Sequence, residues 1–272
     1  MKFVSDIPIS ECEKTLHYHQ FMRNKQRSLP NQQALNPFWH SSEVQSWGSR
    51  STSSLLGIRG TFQSRFEVID FGVNLIELVQ EAKLPVLWAF KSSERDKEST
   101  EPANSLSTTD LLKHLVSQAL CLNHKGLTRV TEHSAGMIVQ RFKIASTEEE
   151  WLELLCSILT SFSHIYLVID MSLASAFNST ATLPARFRWL FRELSNRGSK
   201  TIVKVCLVSC SPDMQALSAK KFEENSDVFV HVKRKMPSAS ASKRGQAKAR
   251  TNLARLKQGR SKHFKLPLLP RP

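Results

Sequence analysis

Residues 53–90, SSLLGIRGTFQSRFEVIDFGVNLIELVQEAKLPVLWAF, decide the fold of this chain. They begin with a short apolar run, SSLLGI (53–58), which predicts a β-strand. From Phe66 to Ala82, the residues Phe66, Ile69, Val73 and Ile76 follow the spacing of one helix face, which predicts a helix. PVLWAF (85–90) is an uninterrupted apolar run, typical of a strand buried on both faces of a sheet. A strand, a helix and a second strand in this order predict a parallel crossover unit.

The same alternation of helix and strand patterns continues to residue 232. Two of the helices are indicated by capping patterns, in which a hydroxyl residue precedes a carboxylate by three positions. The further predicted elements are helices after Ser107 and Ser146, a central strand at 164–171, a helix opened by Pro184 and closed by Gly198, a buried strand at 201–212 and an edge strand at 227–232. The sequence therefore predicts an α/β domain with a mainly parallel central sheet and flanking helices.

Charge divides the chain into a nearly neutral body and a basic tail. The 272 residues include 38 Lys or Arg and 24 Asp or Glu, for a formal net charge of +14. Residues 233–272 hold 13 of the basic residues and no acidic one, so 25 basic residues face all 24 acidic residues upstream. We therefore predict three regions: a polar N-terminal arm (1–50), the α/β domain (51–232) and a disordered basic tail (233–272).

The arm is rich in polar residues, and we expect its aromatic residues Trp39 and Trp47 to dock on the domain. His17 and His19 lack the ligand spacing of a known zinc module, so a solvated polar segment is favoured over a metal site.

Several features indicate the compartment. No run reaches the roughly 18 apolar residues of a membrane span, and acidic residues interrupt the start, MKFVSDIPISECEK, before a signal-peptide core forms. The five cysteines are odd in number and lie mostly in apolar runs, which predicts free buried thiols in a reducing compartment. We expect an intracellular protein, cytoplasmic or nuclear, with no transmembrane segment.

The turn after the first predicted strand has the position of a phosphate-binding loop but not its residues. In a loop of the form GxxxxGK[ST], main-chain N–H groups converge on the phosphates, the lysine neutralises them and the hydroxyl binds magnesium. If Arg65 takes the lysine position, Arg59 and Ser64 stand at the glycine positions and Phe66 at the hydroxyl position. The motif alone favours an ordinary strand-to-helix turn, with Gly60 as its one glycine.

The order of the remaining segments resembles the NACHT-like P-loop modules of large fungal proteins, in a degenerate form. PVLWAF matches the strand after the phosphate-loop helix, and STTDLLKHLVSQAL and EEEWLELLCSIL match two helices of these modules. HIYLVID matches their Walker B strand, and VCLVSCSPD matches the strand that normally ends in Ser-Arg-Pro. The resemblance covers residues 50–215 and implies a P-loop NTPase-like fold.

This resemblance also implies a set of residual nucleotide-binding residues, which are Gly60, Ser64, Arg65 and Asp170. Asp170 would be the Walker B aspartate, which contacts magnesium through water. The alternative is that Asp170 only caps the end of its strand or a following helix. Met171 and Ser172 stand where intact members have further acidic residues, and Cys210 replaces the arginine that senses the terminal phosphate.

These departures from the motif lower the nucleotide affinity and the hydrolytic activity that we expect. Loss of the lysine and of the magnesium hydroxyl removes two charged interactions of about 1.5–3 kcal/mol each, which lowers nucleotide affinity by roughly two to four decades. A helix N-terminus still attracts anions, so weak binding of ATP with magnesium remains open. We expect no hydrolysis and no resident cofactor or metal, and we interpret the domain as a protein-binding or assembly module whose partner the sequence does not specify.

Two other functions remain open. One is a nucleotide-dependent switch in which Arg65 replaces the lysine and Asp170 holds magnesium. The other is a nuclear protein that binds nucleic acid or another polyanion through its tail, although a solvated tail without a dedicated partner is also consistent with the composition. The basic clusters that resemble a bipartite import signal contain Lys233, Arg234, Lys235, Lys243, Arg244, Lys248 and Arg250.

Overall fold

The computed structural model describes residues 9–27, 37–91, 107–127, 132–173, 179–210 and 227–231. The helices are α1 (Ile9–Arg27), α2 (Ser42–Ser49), α3 (Arg65–Glu81), α4 (Thr108–Leu127), α5 (Glu132–Ile144), α6 (Glu148–Leu159) and α7 (Ser179–Asn196). The strands are β1 (Ser54–Arg59), β2 (Val86–Ala89), β3 (His164–Asp170), β4 (Ile202–Ser209) and β5 (Asp227–His231). Within these ranges, no helix combines the length and apolar character needed to cross a bilayer.

The five strands form one parallel sheet in the order β2-β3-β4-β1-β5. The predicted α/β class, the central position of β3 and the edge position of β5 are therefore confirmed. β2 is the other edge strand, and the side chain of Gln118 on α4 covers its main chain. Gln118 Nε2 donates to the carbonyl of Trp88 at 2.7 Å, and Gln118 Oε1 accepts from the Trp88 amide at 3.1 Å. These bonds occupy groups that an exposed edge would offer to another chain.

Helices cover both faces of the sheet. α4, α6 and α7 pack on one face, where their apolar side chains share a core with Leu87, Leu167 and Val205. α1, α2 and α3 pack on the other face. Trp47 on α2 is fully buried there, as is nearly all of Phe38, so the expected docking of Trp47 is confirmed. Residues on both sides of position 50 therefore contribute to the same core.

Local capping signals are largely confirmed, with one shift. Asp110 N donates to Ser107 Oγ at 3.1 Å, as the first capping pattern predicts. The second cap is Thr147 rather than Ser146, because Glu150 N donates to Thr147 Oγ1 and the Glu150 carboxylate accepts from Thr147 N. The hydrogen bonds that the Glu150 carboxylate accepts from Ser146 N and from Thr147 N lower the pKa of Glu150 to about 2.

The start of α7 differs from the prediction, whereas its end agrees. α7 begins at Ser179, so Pro184 lies inside the helix and does not open it. Proline costs one main-chain hydrogen bond there, and the burial of neighbouring Leu183 and Phe187 offsets that cost. Gly198 has φ +67° and closes the helix, with Ser199 N bonded to Leu194 O at 3.0 Å.

The predicted apolar face of α3 is only partly correct. Phe66, in the first turn, is 55% exposed. Val73 and Ile76, further along the same predicted face, are fully buried. The predicted face is therefore exposed at Phe66 and buried from Val73 onward, and the first buried residue of α3 is Val68, which lies off that face.

Candidate functional site

The predicted nucleotide-binding residues lie where parallel strands end. Arg59 ends β1, Asp170 ends β3 and Ser209 ends β4, so the residues that follow these strands share one edge of the sheet. The chain leaves β1 toward β2, whereas after β4 it reaches β5 on the opposite side of β1. Open α/β sheets bind ligands at such a reversal, outside the carboxyl ends of the strands. This edge is therefore the candidate site.

The turn between β1 and α3 is closed by its own hydrogen bonds. Gly60 N donates to Ser209 O at 2.8 Å, which continues the pairing of β1 with β4. Thr61 N donates to Ser64 Oγ at 2.7 Å, and Ser64 N donates to Thr61 O at 3.0 Å. A phosphate loop directs such N–H groups at its ligand. Here the N–H groups of Gly60, Thr61 and Ser64 already have acceptors within the protein.

Close packing explains the glycine in this turn. A Cβ atom at Gly60 would lie 2.6 Å from Ser64 Oγ and 2.6 Å from Val68 Cγ2. Contacts this short require the neighbours to move, and Val68 is fully buried in the core. Gly60 therefore lets the turn pack against α3, and this role needs no bound phosphate.

Arg65 and Ser64 differ in their environment. Ser64 is 1% exposed and makes no side-chain hydrogen bond to the first turn of α3. Arg65 is exposed, and its main-chain oxygen lies 4.0 Å from Cys210 Sγ. The edge therefore has one exposed cation at the start of a helix.

Asp170 has a structural role at the end of β3. Its side chain is buried, with 5% of the residue exposed. Its Oδ1 accepts a hydrogen bond from Ser172 N at 2.9 Å, which caps the 3-10 turn Met171–Leu173. The sequence left two roles open for Asp170, a magnesium-contacting aspartate and a cap. This hydrogen bond is the kind that a cap makes.

The charges of Arg65 and Asp170 both affect the pKa values of Cys210 and His19. Burial raises the pKa of Cys210 to about 12, with the negative charge of Asp170 adding to this and Arg65 opposing it. Burial lowers the pKa of His19, against the carbonyl of Lys91 and the charge of Asp170, which raise it. Arg65, Asp170, Cys210 and His19 therefore lie at the same edge of the sheet, close enough for these charges to act on Cys210 and His19.

The prediction of a solvated segment is wrong for His19, which lies on α1 and is half-buried at this edge. Its Nε2 lies 3.0 Å from the carbonyl oxygen of Lys91, just after β2, and its ring packs at 5.3 Å from that of Phe90. The sequence contains no local signal for a contact across 72 positions. His17 is exposed, and its Nδ1 lies 3.1 Å from Gln20 Oε1. In the described part of the chain, no group of three or more His, Cys, Asp or Glu could hold a metal ion.

Comparisons with known proteins give little further information on the site. The sequence matches no protein-family model and no curated protein. Among solved structures, the chain is similar to the Aeropyrum pernix ORC2 protein in its ADPNP–ADP complexes, with 14% sequence identity and a TM-score of 0.35. The match covers 73% of this chain and 46% of that one, so the chain spans less than half of the length of the matched structure.

Proposed function

We propose that this chain is a catalytically degenerate P-loop NTPase-like domain of the NACHT-like type, which acts as a protein-binding or assembly module. In this proposal nucleotide binds weakly or not at all at Gly60, Ser64, Arg65 and Asp170, and nothing is hydrolysed. The strand order supports the proposal, because it brings the β1–α3 turn and the aspartate that ends β3 to one edge of a parallel sheet.

The closed β1–α3 turn is the observation that carries the proposal. Its main-chain N–H groups at Gly60 and Thr61 bind Ser209 and Ser64, and the space beside Gly60 is filled by Ser64 and Val68. A phosphate bound by the Gly60 and Thr61 N–H groups would have to replace these hydrogen bonds and move packed side chains. That rearrangement reduces the net free energy of binding, in addition to the loss of the lysine and the magnesium hydroxyl.

Binding of a fluorescent ATP analogue with magnesium to the full chain tests the nucleotide part. Arg65→Ala removes the exposed cation, and Asp170→Asn removes the charge while keeping an oxygen that can accept from Ser172 N. We expect no saturable binding below roughly 1 mM, two to four decades weaker than a micromolar site. A low-micromolar dissociation constant that Asp170→Asn abolishes would refute the proposal. That result would favour the nucleotide-dependent switch, in which Arg65 replaces the lysine.

Exposed apolar side chains on α5 support the binding role. Ile144 is 69% exposed, Met137 is 51% exposed and Val139 is 38% exposed. A photo-crosslinking residue placed at Ile144 should give discrete protein adducts in an extract of the source cells. The same residue placed at Lys83, which is exposed after α3, is the matched control and should give none. Equal labelling at both positions would count against α5 as the binding surface.

Polyanion binding by the tail is a separate prediction, and residues 233–272 lie outside the described residues. Their 13 basic residues predict binding to nucleic acid that weakens with salt, with a slope of about −0.9 per phosphate contacted on duplex DNA. Deletion of residues 233–272 should abolish this binding. Unchanged binding after the deletion would exclude the tail as its source.

A further inference from the structure

Lys204 is a buried amine in β4, close to the amino end of the sheet and away from the candidate site. Only 1% of the residue is exposed. Its Nζ donates to the main-chain oxygen of Trp47 and to Ser54 Oγ, both at 3.0 Å. It also lies 5.9 Å from the centroid of the Trp47 ring. The amine therefore connects the sheet to α2.

The hydrogen bonds of Lys204 fit an uncharged amine. A neutral amine has two N–H donors, which the Trp47 and Ser54 oxygens match, whereas an ammonium group has three donors and a charge. Both acceptors are neutral oxygens, so among these contacts a positive charge on Nζ would meet no anion and would gain cation–π attraction from the Trp47 ring alone. Burial lowers the pKa of Lys204 to about 7, and repulsion from Arg50 lowers it further.

The other polar groups on this side of the sheet do not compensate a charge. Burial lowers the pKa of His164 on β3, and a charge on Lys204 would lower it further, so His164 offers no compensating negative charge. Tyr166, beside Lys204 in the register of β3 and β4, is fully buried, and its hydroxyl has no hydrogen-bond partner among the described residues. α3 covers the same face with buried apolar side chains such as Ile76 and Val79.

We propose that Lys204 is a proton-sensitive clasp, in which the uncharged amine fastens the segment 37–50 to the sheet and protonation weakens that attachment. The segment covers this face with Phe38, Val44 and Trp47, and the clasp contacts it through the Trp47 carbonyl and indole. If the segment opens, the amine enters water and regains its ordinary affinity for protons.

The direction of the pH effect follows from linkage. In the opened state Lys204 has its ordinary pKa of 10.5, and in the closed state its pKa is about 7. Between these values the opened state binds a proton that the closed state does not. The equilibrium constant for closing the segment 37–50 therefore rises by up to about tenfold for each pH unit. Below pH 7 both states carry the proton, and closure stays at its weakest.

Native-state hydrogen exchange on the full chain tests the clasp. From pH 7.0 to 8.5, after correction for intrinsic exchange, the protection of the Trp47 and Gly48 amides should rise by about 15-fold, because the closed state is half protonated at pH 7 and the slope reaches tenfold per unit only above it. Lys204→Met and Lys204→Gln should both remove this rise. The window avoids the other resolved titrations, because the pKa values of His19 and His164 are lowered and those of Cys156, Cys206 and Cys210 are raised.

Two results would overturn the proposal. A flat protection profile in the wild-type chain does so without any variant, even if the substitutions prevent folding. An equal rise at amides of α6, such as those of Leu154 and Leu155, would also do so, because the proton would then act on global unfolding rather than on the segment 37–50.

Discussion

Two arginines on α7 offer a matched test of what holds β5 in the sheet. Arg188 Nε lies 2.6 Å from Asp227 Oδ2, and the two side chains are 13% and 0% exposed. Arg186, two positions earlier, pairs with Glu148 and Glu149 at 2.9 Å each. Its side chain is 33% exposed, and those of its partners are 23% and 63% exposed. The two arginines therefore differ in burial and in the number of partners, because Arg188 pairs with one buried carboxylate and Arg186 with two partly exposed ones.

Replacing each arginine by methionine keeps much of the aliphatic stem and removes the charge. Arg188→Met removes the guanidinium that lies 2.6 Å from the fully buried Asp227 carboxylate, and breaking a buried pair in this way costs up to about 3–5 kcal/mol of the free energy of unfolding. Arg186→Met breaks two partly exposed pairs, each of which is worth less than about 1 kcal/mol. Because Asp227 begins β5, the loss in Arg188→Met should also appear as faster amide exchange in that strand.

Urea unfolding followed by circular dichroism, with linear extrapolation to water, measures both values. The double variant Arg188→Met/Asp227→Asn removes the stranded charge and should recover part of the loss. Equal losses in Arg188→Met and Arg186→Met, both below about 1 kcal/mol, would refute the reasoning, because they would mean that the Asp227 carboxylate is solvated or is stabilised equally well by other groups.

Three further predictions concern packing, the sheet edge and a helix cap. Gly60→Ala should lower the free energy of unfolding by about 1–3 kcal/mol, since the new methyl group meets Ser64 and Val68, and an unchanged midpoint in thermal unfolding would mean that the turn is looser than described. Gln118→Ala should speed amide exchange at Trp88 by about tenfold, the equivalent of one lost hydrogen bond, while exchange at β4 amides serves as the control. Glu150 has a depressed pKa of about 2, so its stabilising contribution is present above pH 4.5 and is lost as the pH falls from 4.5 toward 2. Acid titration of Glu150→Gln should lack this component, and a profile identical to that of the wild type would contradict it.

The candidate site could be predicted only in part. Sequence order placed Asp170 at the end of a strand and Arg65 at the start of a helix, and both positions are correct. It did not predict that the β1–α3 turn binds its own N–H groups or that His19 reaches the same edge. These features depend on which side chains meet across long stretches of chain. Periodicity carries no information on such contacts.

By itself, the sequence determined the local elements and the class of the fold. Apolar runs and helical spacing are properties of neighbouring residues, so they predicted the strands, the parallel α/β class and the caps near Ser107 and Thr147. The tertiary structure alone decided the strand order. This order made PVLWAF an edge strand, and the Gln118 side chain binds the main chain of Trp88 at that edge. It also decided the burial of Lys204 against Trp47, 157 positions away. The physical reason is that local patterns fix which face of an element is apolar, whereas hydrogen-bond partners and charge burial depend on which elements become neighbours.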